Sequence, residues 1–577
     1  MTRVAISPSQ RLILSVCGLL LACGCSGGNG SGTNPELVAG TGAPAIPQPS
    51  AAGTTAQVAP PPGTAGSNGV LQAPAAGTTA QKPNGAAGST PVQPTAAGTN
   101  SAQAGMSADA GTPADAGAPA RDGGVHVVVP PITVTGPITG GMGKPFAFAV
   151  VDLGTKGYTE KEFFFEGDAS AYTMQGQMSM DGKWALAAGT KAYFKSRMLV
   201  RRPMDAAKFN GTVIVEWFNV TGGADADPGF IYNSEELIRE GYAWVGVSAQ
   251  AQGVVGGGFA IPIQGLVPLV QYDKERYSSL SHPGDAYSFD IFTRAAQIVR
   301  GASSVDVLEG LSPKRLIGYG ESQSAGRLVS YVNGVHPLVD VLDGFFIHSR
   351  GSSGPSFSTG TTTGPGVMGD PVHIRDDIDV PVFQFETETD VFALGYLSAR
   401  QDDFDKLRTW EVAGTSHIDA YSLSLDTSGV ADSLGCDHPN DGPQHYVVRA
   451  ALHGLDRWLR DGTAPAKGQR LMSNADDTPL TDQYGNTHGG VRTPDVDVPT
   501  ATLSGLPATT GGLNFVCFLF GHTEPFTPQK LMQMYPQHDG YVSKVTDAAR
   551  AAREAGFILV PEEQAMVAKA QAAPVPK

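Results

Sequence analysis

The stretch Leu316-Ile317-Gly318-Tyr319-Gly320-Glu321-Ser322-Gln323-Ser324-Ala325-Gly326-Arg327 runs from a short apolar segment into a small–x–Ser–x–small turn. Leu316 to Tyr319 predict a buried strand, and Leu328, Val332 and Val335, spaced i, i+4 and i+7, predict a packed helix after it. A serine between such a strand and helix reads as a nucleophile elbow, a sharp turn that lifts the hydroxyl off the end of a sheet. Small residues flank it because strand and helix nearly touch there, and Gly320 and Ser324 fill those places around Ser322. Ser324, framed by Ser322 and Gly326, meets the same spacing; Ser322 is preferred because it lies at the strand's end.

Outward from this turn the chain alternates strands and helices. Thr212 to Trp217 and Tyr242 to Val247 are apolar strand runs, with a helix near Asn233 to Glu240 between them. Asn233 with Glu236 resembles a capping box, and Gly241 suits a left-handed C-terminal cap. Ile291, Ala295, Ile298 and Val299 share one helical face. Before these, Phe163-Phe164-Phe165, Ala192-Tyr193-Phe194 and Met198-Leu199-Val200 read as an antiparallel entry to the sheet. The pattern predicts an α/β class: a mainly parallel sheet with helices on both faces, an antiparallel N-terminal β entry, and insertions.

A serine hydroxyl needs a base to take its proton and a carboxylate to orient that base. Strand Pro381 to Phe385 leads into Glu386-Thr387-Glu388-Thr389-Asp390, and strand Thr409 to Val412 leads into Ala413-Gly414-Thr415-Ser416-His417. The order Ser322, then acid, then His417 fits the elbow. Asp390 is the first choice of acid and Glu388 the alternative; His438 and His445 lie beyond the strand and are weaker candidates for the base. The oxyanion would be met by backbone N–H groups. Gln323 would supply one, and Asn219 or Val220, in the loop after Thr212 to Trp217, the other. Asp225 and Asp227 are a candidate cation pair, but two carboxylates without a loop motif read as solvated, so no metal is assigned; serine chemistry of this kind needs no cofactor. The stretch Gln252 to Asp285, glycine-rich at Gly256 to Gly258 and then apolar at Ile261, Ile263, Leu266 and Leu269, reads equally as a lid or a packed surface loop.

The 577 residues carry 39 Lys and Arg against 55 Asp and Glu, a formal charge of −16, which argues against a nucleic-acid partner. Arg3 and Arg11 precede an apolar run, Leu12 to Ala22, too short to span a bilayer but of signal-peptide length. Leu20-Leu21-Ala22-Cys23 resembles a lipobox, with Cys23 as the lipidated residue and Cys25 as runner-up. Residues 1–25 are therefore read as a lipoprotein-type signal peptide. The expected location is the outer membrane, facing periplasm or exterior, with the lipid anchor as the membrane contact. Residues 26–125 are nearly all Ala, Gly, Thr, Pro, Ser and Gln and repeat Ala51-Ala52-Gly53-Thr54-Thr55-Ala56-Gln57 at Ala75 to Gln81. Such a composition buries too little apolar surface to offset its chain entropy, so a disordered spacer is expected. Residues 126–577 form the expected folded domain. Its two cysteines, Cys436 and Cys517, are read as a disulfide in an exported protein.

The motifs around Ser322, together with Val215-Glu216-Trp217-x-Asn219-Val220, Gly246-Val247-Ser248-Ala249-Gln250, His282-Pro283-Gly284-Asp285-Ala286-Tyr287, Glu388-Thr389-Asp390 and Trp410-Glu411-Val412-Ala413-Gly414, resemble a group of bacterial α/β-hydrolase-domain proteins. The resemblance covers roughly residues 130–570. It implies the α/β-hydrolase fold, supports Ser322 and His417, and leaves Asp390 and Glu388 both open as the acid. The expected function is hydrolysis of carboxylic esters, small or polymeric, through an acyl-enzyme. A serine peptidase of the same fold and a non-catalytic tethered binding module are the contrasting readings.

Overall fold

Strands apolar at successive positions demand cover on both faces, and the computed structural model supplies it. It describes residues 132–258, 266–357, 370–423, 438–508 and 515–575. The chain divides into two units, Met1–Gly24 with Ala120–Lys577, and Cys25–Pro119. All described residues belong to the first; the expected leader with Cys23 and Cys25, and the low-complexity stretch, lie outside them.

A nine-stranded sheet runs in the order β1-β2-β3-β5-β4-β6-β7-β8-β9. The strands are β1 (Thr133–Thr135), β2 (Tyr158–Gln175), β3 (Ala185–Pro203), β4 (Thr212–Trp217), β5 (Ala243–Val247), β6 (Arg315–Glu321), β7 (Gly344–His348), β8 (Val382–Thr387) and β9 (Leu407–Val412). β1 to β3 and the β3–β5 pair are antiparallel, while β5, β4, β6, β7, β8 and β9 pair in parallel. The expected entry is thus one long hairpin, with Phe163, Phe164 and Phe165 opposite Met198, Arg197 and Ser196.

Alternation sorts each strand between two cores. Phe163, Phe165, Val213, Val215, Val245 and Phe345 enter one cluster. Phe164, Ile214, Trp244, Ile317, Phe346 and Phe383 enter the other. Full burial of each such side chain contributes on the order of 1.5–3 kcal/mol, so both layers are needed. The first face is closed by α2 (Ser288–Val299) and α3 (Gln323–Ser330), the latter continuing as a π turn over Tyr331–Val335. The second is closed by α1 (Pro228–Glu240) and α5 (Gln444–Asp461). A short helix, α4 (Glu388–Phe392), follows β8.

Two local readings need correction. α1 begins at Pro228, not near Asn233, because proline at the first turn starts the helix. Asn233 lies inside it, its Nδ2 donating to the Gly229 carbonyl at 2.9 Å, so the expected capping box does not form. Gly241 does take the left-handed cap, at φ 76°. The C-terminal region adds β10 (Ala501–Ser504) paired antiparallel with β11 (His522–Pro525), then α6 (His538–Glu554) and α7 (Val560–Ala572). Among the described residues no helix is long and apolar enough to cross a membrane.

Candidate active site

Parallel strands all end on the same edge of their sheet, and β6, β8 and β9 deliver Ser322, Asp390 and His417 to that edge. Ser322 links β6 directly to α3 with φ 57° and ψ −117°, a conformation costly for any residue with a Cβ. A Cβ at Gly320 would stand 2.6 Å from the Ser324 carbonyl oxygen, so the small flank is a steric requirement. Ser324 is fully buried. Its Oγ donates to the Glu321 carbonyl at 2.8 Å and accepts from the Glu321 N–H at 3.0 Å. It fastens the elbow from inside, while Ser322 is only half-buried.

His417 Nε2 lies 2.8 Å from Ser322 Oγ, and His417 Nδ1 lies 2.5 Å from Asp390 Oδ1. A carboxylate only accepts, so Nδ1 carries the proton and Nε2 is left to accept from the serine hydroxyl. The His417 main-chain N–H donates to Thr389 Oγ1 at 3.0 Å, which fixes the ring's origin. Asp390 is held in turn: its Oδ2 accepts from the Thr387 N–H and hydroxyl, both at 2.7 Å, in a capping box that opens α4.

Glu388 is directed elsewhere. Its two carboxylate oxygens accept the N–H groups of Gly414 at 2.6 Å and Gly505 at 2.9 Å. Burial pushes its carboxyl up to about 7 against those two hydrogen bonds. His445 stacks on Tyr421 with ring centroids 3.9 Å apart, and His438 is exposed.

Of the expected oxyanion donors, the Asn219 N–H is committed to the Ala226 carbonyl at 3.0 Å. Its side-chain Nδ2 donates to the Glu321 carbonyl, also at 3.0 Å. Gln323 is the first residue of α3, where an N–H has no intrahelical acceptor. Val220 lies in the loop after β4, its carbonyl accepting from the Gly223 N–H at 2.9 Å.

Asp225 and Asp227 are not solvated. Both are buried, Asp225 2.9 Å from Arg197 and Asp227 hydrogen-bonded to Arg201. Arg197 and Arg201 stand four residues apart on β3, so both guanidinium groups reach the same loop. Each arginine also holds a second acid, Arg197 at 2.8 Å from Glu162 and Arg201 at 2.8 Å from Glu160, so it is the loss of an arginine that would leave its aspartate buried without an ion-pair partner, at a cost of about 3–5 kcal/mol.

Sequence reasoning passed over His348, at the end of β7, whose carbonyl accepts the Ser322 N–H at 2.8 Å. Its ring accepts and donates between Tyr319 Oη at 2.8 Å and Gln444 at 3.1 Å, and burial pushes its pKa down to about 3, leaving it neutral. Of the two cysteines expected to pair, Cys436 lies outside the described residues. Of the apolar insert, Ile261 and Ile263 also lie outside them, while Leu269 is buried.

No protein of curated function matches the chain. Solved structures similar to it include a candidate dienelactone hydrolase from Klebsiella pneumoniae subsp. pneumoniae MGH 78578, at 16% identity and TM-score 0.26, covering 47% of this chain and 93% of that one. The esterase Est22 is similar at 15% identity and TM-score 0.23, covering 45% of this chain and 73% of that one. Likenesses this low carry no inference about chemistry. The sequence model of one family, described as the alpha/beta hydrolase domain, matches residues 134–568. With the sheet order traced above and a match over most of its length, the chain belongs to the alpha/beta hydrolase domain family.

Proposed function

We propose that the protein is a serine hydrolase that cleaves carboxylic esters through an acyl-enzyme. One observation carries the reading: the hydrogen-bonded series Asp390–His417–Ser322, with the serine held in a strained turn at the end of β6. Ser322 Oγ attacks the acyl carbon while its proton passes to His417 Nε2, and Asp390 stabilises the imidazolium. The Gln323 and Val220 N–H groups receive the developing oxyanion. His417 then protonates the departing alkoxide, and water, giving its proton to the same nitrogen, releases the acid. Esters are preferred over amides because an alkoxide leaves more readily than an amine anion and asks less of His417.

Replacing Ser322 with alanine is expected to lower kcat/KM on p-nitrophenyl esters by about 10⁴-fold or more, with the fold kept. Turnover unaffected by the substitution would place the chemistry elsewhere, and faster cleavage of an anilide than of the matched ester would favour a peptidase. Proposed with this activity is an exported protein anchored through lipid on Cys23, because a lipobox-like sequence closes the leader. A disulfide between Cys436 and Cys517 belongs to the same proposal.

A further inference from the structure

We propose that Glu321 is a positioning residue for His417, a second carboxylate that stabilises the imidazolium from the side opposite Asp390. The proposal rests on the roles given to Ser322 and His417 above. Glu321 precedes the nucleophile, and its side chain is 2% exposed. Its Oε1 lies 3.7 Å from His417 Nε2. Asn219 Nδ2 donates to the Glu321 carbonyl at 3.0 Å and reaches Oε2 at 3.3 Å. That contact turns one oxygen towards Asn219 and the other towards the imidazole. Ser324 grips the Glu321 main chain through both its N–H and its carbonyl, so the carboxylate is fixed at its root and at its tip.

The separation decides the role. At 3.7 Å the contact is beyond hydrogen-bond length, so Glu321 does not divert Nε2 from Ser322 Oγ at 2.8 Å. In a buried site it is close enough for a strong interaction with the positive ring formed when the serine proton arrives. Asn219 thereby acts through its amide side chain, as the tether of this carboxylate.

Around His417, Asp390 of α4 and Glu321 of β6 supply the acidic groups. His348 of β7 is held neutral by burial. Glu386 of β8 lies near Asp390, its carboxyl raised well above the usual range by burial. Asp419, two residues beyond His417, is raised to about 7 by burial and hydrogen-bonds Tyr232 of α1. Burial also raises the phenols of Tyr232 and Tyr319 near Glu321, keeping them neutral. Against this background, deleting the Glu321 charge lowers the imidazole pKa.

The test is Glu321→Gln, with His417 titrated by NMR in protein carrying ¹³C-labelled histidine and kcat/KM for p-nitrophenyl acetate followed against pH. The imidazole midpoint and the acid limb of the profile are expected to fall by about one unit. The plateau should fall about tenfold, the rate equivalent of that shift. Glu321→Asp, which keeps the charge, should restore most of both. An unmoved midpoint in Glu321→Gln overturns the proposal even if activity falls, because a packing defect alone would do that. Should Glu321→Gln fail to fold, Asn219→Ala, which frees the carboxylate from its tether, must lower the midpoint, and no change overturns the proposal. Wild-type protein without Ser322-dependent turnover would defeat the hydrolase reading instead, while the titration still decides Glu321.

Discussion

At the scale of single residues, two carboxylates two positions apart meet different fates. Asp390 and Glu388 have the same charge and the same loop, and sequence alone leaves both open. The difference is the register of one helical turn, which aims Asp390 at His417 and Glu388 at the N–H groups of Gly414 and Gly505. Asp390→Asn is expected to lower kcat by about 10³–10⁴-fold through loss of the correct tautomer. Glu388→Gln should leave kcat within about tenfold and act on stability instead, because its oxygens touch main chain. The sign follows from burial: the Glu388 carboxyl is raised to about 7 in the fold. In the unfolded chain it titrates near ~4.3. Its contribution to stability is therefore complete below that lower value and is lost as pH rises through about 7. Urea midpoints should fall across this window, and Glu388→Gln should flatten the fall. A slope unchanged by the substitution would remove Glu388 as its source.

At the scale of elements, the site depends on how each strand hands its chain to the next turn. The capping box at Thr387 and Asp390 fixes the proposed acid, and sequence reasoning passed over its Thr-x-x-Asp pattern at the end of an apolar strand. Thr387→Val removes the hydroxyl that bonds Asp390 Oδ2 and so should cost about 1 kcal/mol of stability and about tenfold in kcat/KM, measured by urea unfolding and ester turnover. Full activity would show that the acid does not need this support. The β6 turn was legible because glycine and serine are obligatory where strand and helix meet; the β4 loop was not, because its donors are main-chain groups. A carbonyl from Ala226 claims the Asn219 N–H, and no side-chain pattern announces that pairing. Asp225 and Asp227 misled for a related reason: their arginine partners sit on β3, 28 and 26 residues away in sequence, brought near by an antiparallel pairing with β5.

At the scale of the whole molecule, the parallel sheet and its double cover were legible, since strands apolar at successive positions have few other solutions. β7 escaped notice, as did β10, β11 and the helices after them, which pack through contacts distant in sequence. One consequence is that the His417 loop leans on the C-terminal region, Ile418 N–H donating to the Leu519 carbonyl at 3.0 Å. The proposed lipid anchor belongs to this scale too. Cys23→Ser is expected to move the protein from the membrane to the soluble fraction of the producing cell, whereas release only by Cys25→Ser would shift the lipid to the second cysteine, and release by neither would end the lipoprotein reading.

The whole proposed mechanism turns on the Ser322 hydroxyl as nucleophile. Treating the purified protein with a fluorophosphonate and mapping the adduct by peptide mass spectrometry tests it directly. One modified peptide is expected, with the phosphonyl group on Ser322, absent after Ser322→Ala and strongly reduced in His417→Ala. An adduct on Ser324, or labelling that survives Ser322→Ala, would contradict it.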